Sequence, residues 1–225
     1  MLTEKKIARI SAKDIAYTEL KKRIINCSFK PGQPIIEDEL ASQLEISRTP
    51  LREALQRLEL EEFVVRQSNG RLKIAPVSIQ EVKELFLVRS MLERVVIVNA
   101  IEKITEQEIM HLSYLVTMLK KTSREGNHED VNPFGSQFHT FLYNLCDNKT
   151  VVKILYQLHD RITRYKRLAH FIDTKKTSDE HEIILDYIIK KDKEKAELII
   201  KRHVLDSKEQ ALKIVKVYED AIKNV

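Results

Sequence analysis

Apolar residues return every three or four positions from Ser78 to the end of the chain, whereas the first third is cut into short segments by Pro31, Gly32, Pro34, Pro50, Gly70 and Pro76. A period near 3.6 predicts helices, and clusters of Pro and Gly predict turns. The change of pattern puts a boundary inside Ala75-Pro76-Val77-Ser78, giving an N-terminal domain over 1–76 and a C-terminal domain over 77–225. In the first part, Ile15, Ala16, Leu20 and Ile24 form a stripe that predicts a helix over 15–25, closed by the turn Lys30-Pro31-Gly32. A short amphipathic segment over 37–44, the turn Glu45-Ile46-Ser47 and a helix over 48–61 follow, the spacing of a helix-turn-helix. The Ser47 or Thr49 hydroxyl is placed to cap that last helix, and Pro50 falls in its first turn, where a missing N–H costs nothing. Two β-prone runs, Phe63–Arg66 and Arg71–Ile74, flank Gln67-Ser68-Asn69-Gly70, a hairpin signal. Three helices and a hairpin make a winged helix-turn-helix.

The second part predicts only helices. Ser78-x-x-Glu81 and Thr105-x-x-Glu108 read as capping boxes opening helices of about 25 and 18 residues. Further helices are predicted over 133–145, 149–170, 178–189 and 193–219. Six helices with short connections form an antiparallel all-α bundle. The fold class is mainly α.

Composition narrows the function. Among 225 residues there are four glycines, at 32, 70, 126 and 135, so neither G-x-G-x-x-G nor G-x-x-x-x-G-K-[ST] can be written and nucleotide enzymes of that kind are excluded. No apolar run approaches the ~20 residues needed to span a bilayer, and the start MLTEKKIARI lacks the apolar core of a secretory signal, so a cytoplasmic protein without a membrane partner is expected. Cys27 and Cys146 have no neighbouring cysteine and read as small buried hydrophobes in a reducing compartment. The net charge of +5 and pI near 9.0 are a mild bias toward anionic partners.

Placement says more than net charge. Arg48 and Arg52 are four apart and share a helix face, beside the hydroxyls of Ser47 and Thr49 at the positive end of the helix dipole. That is the end of a recognition helix that meets base edges in the major groove, where an arginine fork can bind guanine. Leu51, Ala54, Leu55 and Leu58 face the other way, toward the core, and Arg71 and Lys73 follow the wing turn within reach of phosphates or a minor groove. Residues 1–75 carry 14 basic and 11 acidic side chains, so one such domain binds weakly and two copies on one duplex are expected.

The run from Arg23 through Pro31-Gly32, Glu39-Leu40-Ala41 and Ser47-Arg48-Thr49-Pro50-Leu51-Arg52-Glu53-Ala54-Leu55 resembles the GntR superfamily of bacterial transcription regulators. The resemblance implies DNA contacts from Ser47, Arg48, Thr49 and Arg52, with the Gly70 backbone close to the duplex. One position departs: Asp38 stands where fatty-acid-responsive members carry a DNA-contacting arginine, and its carboxylate would repel a phosphate.

In the second part His139, His181 and His203 occupy helical positions, and the 22 residues from His181 to His203 suit two adjacent antiparallel helices. Imidazoles converging inside a bundle can hold a divalent metal. Arg89-x-x-Leu92-Glu93, Phe138-His139, Ser178-Asp179-Glu180-His181 and His203 are similar to the C-terminal sensor (FCD) domain of the FadR-type branch. That resemblance implies three histidines and an aspartate around zinc, nickel or manganese at the floor of an effector cavity. Here the aspartate position is Gly135, so the metal site is either three imidazoles completed by water or an apo cavity bridged by water, and the helix carrying Gly135 is expected to begin late. Arg89 is expected either to clamp an effector carboxylate with its fork or to pair with Glu93 at the surface; Arg161 and Arg164 are second candidates for the cavity. His111, His128, His159 and His170 have no assigned role.

The reading is a homodimeric DNA-binding repressor released from its operator by a small carboxylate-bearing effector. Two rivals stand beside it: a ligand-blind dimeric regulator, and a metal-dependent hydrolase on the three histidines. The hydrolase lacks a general base, having no H-E-x-x-H.

Overall fold

The computed structural model describes residues 11–125, 128–168 and 174–223. These fold as two compact units, Met1–Val77 and Ser78–Val225. In the first, α1 (Ala12–Ile25), α2 (Glu37–Gln43) and α3 (Arg48–Leu60) precede the antiparallel pair β1 (Val64–Arg66) and β2 (Leu72–Ile74). Ala16, Leu20 and Ile24 of α1 close against Leu51, Ala54, Leu55 and Leu58 of α3, and Phe63, Val64, Leu72 and Ile74 complete this core. Helix α1 ends earlier than the Pro31-Gly32 turn: Asn26 caps it and Cys27 takes a left-handed φ of 58°. Gly32, with φ 80°, begins a stretch that pairs with β2 instead, through Gly32 N–H to the Ile74 carbonyl (3.0 Å), Ile74 N–H to Gln33 (2.8 Å) and Ile35 N–H to Leu72 (3.0 Å). In the wing Gly70 alone takes a positive φ, 81°, so the hairpin closes on a type I turn followed by a left-handed residue.

The second unit holds α4 (Ile79–Lys103), α5 (Glu106–Arg124), α6 (His128–Asn144), α7 (Lys149–Arg167), α8 (Thr174–Ile189) and α9 (Lys193–Lys223). Helix α4 buries Val82, Phe86, Val96, Ile97, Ala100 and Ile101 and packs most extensively on α9. Thr105 and Glu108 form a complete capping box. Ser78 accepts from the Glu81 N–H, but the Glu81 carboxylate pairs with Arg161 and does not return to the cap, so the box there is half made. Helix α6 begins at His128, not at Pro133; a proline in the second turn forgoes one backbone bond without ending the helix, and the chain runs through Gly135 unbroken. Helix α8 begins at Thr174, not Ser178, because Lys175 to Thr177 continue the helix with polar residues that carry no apolar period. Helix α7 ends at Arg167 with Leu168 as its cap, short of the expected end at His170, and the expected loop at Gly126 lies outside the described residues.

Candidate functional site

On the first unit Ser47, Arg48, Thr49 and Arg52 share one exposed surface at the start of α3, with Gly70 and Arg71 exposed on the wing. Ser47 is the N-cap by position, yet its exposed hydroxyl makes no capping bond to the α3 backbone donors, contrary to expectation. Both arginines carry a carboxylate from α2: Arg48 Nη2 lies 2.7 Å from Asp38 Oδ1, and Arg52 Nε donates to Glu37 Oε2 at 2.7 Å. Asp38 therefore meets Arg48. At the other end of α3, Tyr17 Oη and Lys21 Nζ both donate to Glu61, at 2.8 and 2.9 Å, tying α1 to that end.

In the second unit His139 of α6, His181 of α8 and His203 of α9 come together, all three about 3% exposed or less. One ligand atom from each lies within 4.8 Å of the others, and His139 Nε2 is 3.1 Å from His203 Nε2. What fixes the rings is on their far sides. His139 Nδ1 is 2.7 Å from Glu93 Oε2, His203 Nδ1 is 2.7 Å from Glu180 Oε2, and His181 Nδ1 donates to the Thr177 carbonyl at 2.6 Å. An acceptor at every Nδ1 puts the proton there and leaves Nε2 as a lone pair. Burial pulls all three imidazoles below their ordinary pKa, His181 to about 3 and His203 well down, so they are neutral near pH 7. His181 Nε2 is buried without a hydrogen-bond partner. Lone pairs facing one another across 3.1 Å repel unless a cation lies between them. The donor set therefore fits a divalent metal, and nitrogen donors suit zinc or nickel better than manganese.

Glu93 is the hub behind this cluster. Only 2% exposed, it accepts from Arg89 Nε at 2.6 Å and from Tyr143 Oη at 2.7 Å on Oε1, while Oε2 faces His139. Burial raises its pKa, but the charge of Arg89, with the hydrogen bonds from His139 and Tyr143, more than offsets this and holds it well below the carboxylate range. Arg89 is thus paired with Glu93, yet it is buried at 4% exposure and not on the surface.

The histidines floor a pocket whose described lining also includes Gly135, Lys166, Thr177, Ser207, Gln210, Ala211 and Ile214, with about 30 Å³ of free space. Burial and the charge of Arg89 bring Lys166 down to about 8. A Cβ built on Gly135 would sit 3.7 Å from His181 Nε2, so this position borders the His181 side of the cluster. Arg161 is engaged by Glu81, and Arg164, though buried, is not among the lining residues. Sequence reasoning did not single out Lys166, Tyr143 or the buttressing roles of Glu93 and Glu180. Two of them carried a signal: Glu93 continues the buried stripe of Phe86, Val96 and Ile97, and Lys166 stands four after Ile162. Of the remaining histidines, His159 is half-buried, its pKa brought down to about 3 by desolvation and the charge of Arg89, and His111 lies tilted against Phe141 with ring centroids 4.5 Å apart. The His128 side chain and His170 lie outside the described residues.

A winged helix-turn-helix followed by a helical bundle with a histidine-lined pocket is the build of a bacterial transcription regulator with an attached ligand domain. Residues 12–74 match the model of the bacterial regulatory proteins of the gntR family, and residues 84–206 match the FCD domain. The chain belongs to the GntR family, with an FCD domain as its second part. The HTH-type transcriptional regulator YdhC of Bacillus subtilis is 28% identical over 193 residues, 84% of each chain. The gluconate operon transcriptional repressor of the same species is 26% identical over 189 residues, 80% of this chain and 76% of that one. The solved structure of McbR/YncC from E. coli superposes with a TM-score of 0.74 at 22% identity, covering 94% of this chain and all of that one, a likeness in fold. The protein is a transcription regulator and not an enzyme, which sets the hydrolase aside. Among the described residues no helix is long and apolar enough to cross a membrane.

Proposed function

We propose that the protein is a cytoplasmic, homodimeric repressor that binds an operator through Ser47, Arg48, Thr49, Arg52, Gly70 and Arg71 and leaves it when a small organic acid enters the FCD pocket. The observation that carries this reading is the convergence of three neutral Nε2 lone pairs on a pocket that also holds Lys166 and lies near Arg89. His139, His181 and His203 would hold a zinc or nickel ion, whose chemistry here is to supply positive charge and open positions for a carboxylate. Lys166 and Arg89 add to that charge, opposed among the described residues by the buried Glu93 and by Glu180, whose own burial raises its pKa to about 7, so the interior favours an anion. Arg161 and Arg164 would act from the pocket's surroundings. The relative named for a gluconate operon fits a carboxylate effector.

About 30 Å³ is room for a water or two and not for a sugar acid, so the effector-bound state must have a wider pocket. That difference is what linkage requires: an effector shifts DNA binding only if it prefers one conformation. A second copy is supported by an exposed apolar stripe on α4, formed by Leu87, Val88, Met91 and Val95, and by the weak binding expected of one winged helix. Two-fold symmetry then gives a pseudo-palindromic operator.

The test uses a duplex selected from a random pool by the wild-type protein. Arg48→Ala with Arg52→Ala should abolish its retention in a gel-shift assay while the dimer stays folded; undiminished affinity overturns the DNA surface. A thermal-shift screen of sugar acids and di- and tricarboxylates, with and without zinc, tests the sensor. No stabilisation by any of them would favour the ligand-blind regulator.

A further inference from the structure

Both arginines at the start of α3 are held by carboxylates of α2, and the fold does not need those pairs. Arg48 and Asp38 are 63% and 66% exposed, and Arg52 is 61% exposed beside Glu37. Ion pairs so open to water add little stability. Their effect falls on the surface charge and on the geometry of the guanidinium groups. Each carboxylate cancels a cation on the face that meets DNA, which removes sequence-independent attraction to phosphate. Each also fixes one edge of an arginine. Glu37 takes Arg52 Nε, which leaves both terminal amino groups of Arg52 clear of that carboxylate as a fork; Asp38 instead takes Arg48 Nη2, one of the terminal amino groups themselves, and so neutralises Arg48 without backing a fork. A fork held from behind is set to bind O6 and N7 of guanine, the bidentate contact that carries sequence information. On the wing the cation is neutralised without leaving a fork: Glu59 takes Arg66 Nε at 3.1 Å and Nη2 at 2.7 Å, and Arg66 Nη1 donates to the Gly70 carbonyl at 3.2 Å.

We propose that Glu37 and Asp38 are specificity-determining residues: Glu37 positions the Arg52 fork for guanine in the major groove, and both carboxylates, by neutralising Arg52 and Arg48, suppress binding to bulk DNA. This rests on the reading of Ser47 to Arg52 as the DNA surface. It gives Asp38 a role that phosphate repulsion alone does not.

The test compares full-length wild type, Glu37→Gln/Asp38→Asn and Glu37→Asp/Asp38→Glu by fluorescence anisotropy, on a random-sequence duplex and on a duplex selected from a random pool by wild type. Removing both charges should tighten binding to the random duplex about tenfold or more. It should also steepen the slope of log K against log salt by roughly 2 per protomer, since each freed arginine adds about 0.9. The ratio of selected to random affinity should fall at least as far, while the acid-retaining variant keeps a ratio near wild type. Unchanged random-duplex affinity and slope, or an equal change on both duplexes, would overturn the proposal and leave the DNA surface standing. Wild type that binds neither duplex would remove the DNA surface and the proposal together.

Discussion

Replacing Glu93 by Gln tests the centre of the helical unit, because one carboxylate holds Arg89, Tyr143 and His139 at 2.6 to 2.7 Å with 2% exposure. Glutamine keeps the volume and one oxygen, which can still accept from Arg89 and Tyr143. The charge is lost, and Arg89 is left as a buried cation without its counterion. Breaking a buried pair from one side costs about 3–5 kcal/mol, and the retained oxygen places this variant near the lower end. For a chain of this size, about 3 kcal/mol lowers the melting temperature by roughly 6–12 °C. The second consequence is chemical. The amide nitrogen introduced by Glu93→Gln would face His139 Nδ1 with a donor, which forces the proton onto Nε2 and removes that lone pair from the cluster. Loss of such a buttress lowers metal affinity about 10- to 100-fold. Thermal denaturation followed by circular dichroism and zinc titration of chelator-stripped protein read the two effects separately. An unchanged midpoint would refute the ion-pair argument; a lowered midpoint with unchanged zinc affinity would refute the orienting role of Glu93.

Three further outcomes follow from single sites. Gly135→Asp places a carboxylate beside His181 Nε2 with its Cβ in ordinary van der Waals contact, and zinc affinity should rise about tenfold or more in competition with a chromogenic chelator. Leu87→Glu with Met91→Glu puts charges on the exposed stripe of α4 and should shift the protein to monomer in analytical ultracentrifugation, with a cooperative melt retained. At Glu61, burial raises the carboxyl's pKa, and hydrogen bonds from Lys21 and Tyr17 outweigh this to leave it lowered. A depressed carboxylate stabilises the fold above its unfolded pKa, about 4.5, and loses that contribution as pH falls through the folded value. The gap in melting temperature between wild type and Glu61→Gln should therefore be full at neutral pH and close on acidification below about pH 4.5.

The first unit was legible wherever the signal was local. Pro50, the spacing of Leu51, Leu55 and Leu58, and Asn69-Gly70 each mark an element within a few residues. The pairing of Gly32 to Ile35 with β2 was not, because it joins segments some 40 residues apart without a β-prone run on one side. In the bundle the three histidines were visible as a spacing and a resemblance. Their buttresses were not: Glu93 reaches His139 across 46 residues, and Glu180 reaches His203 across 23, through helix packing that no periodicity encodes. The same cause misplaced Arg89. Its spacing to Glu93 predicted the pair, but only the packing of α4 on its neighbours shows that the pair is buried. The starts of α6 and α8 were late in the sequence reading because a proline and a polar run interrupt the apolar pattern without interrupting the helix.

Whether His139, His181 and His203 form a metal site is tested most directly by calorimetric titration of zinc into the chelator-stripped protein. One ion per protomer should bind to wild type, with binding lost when His139, His181 or His203 is changed to Ala and the fold retained. No binding to wild type, or binding at equal affinity to the three alanine variants, would contradict that assignment.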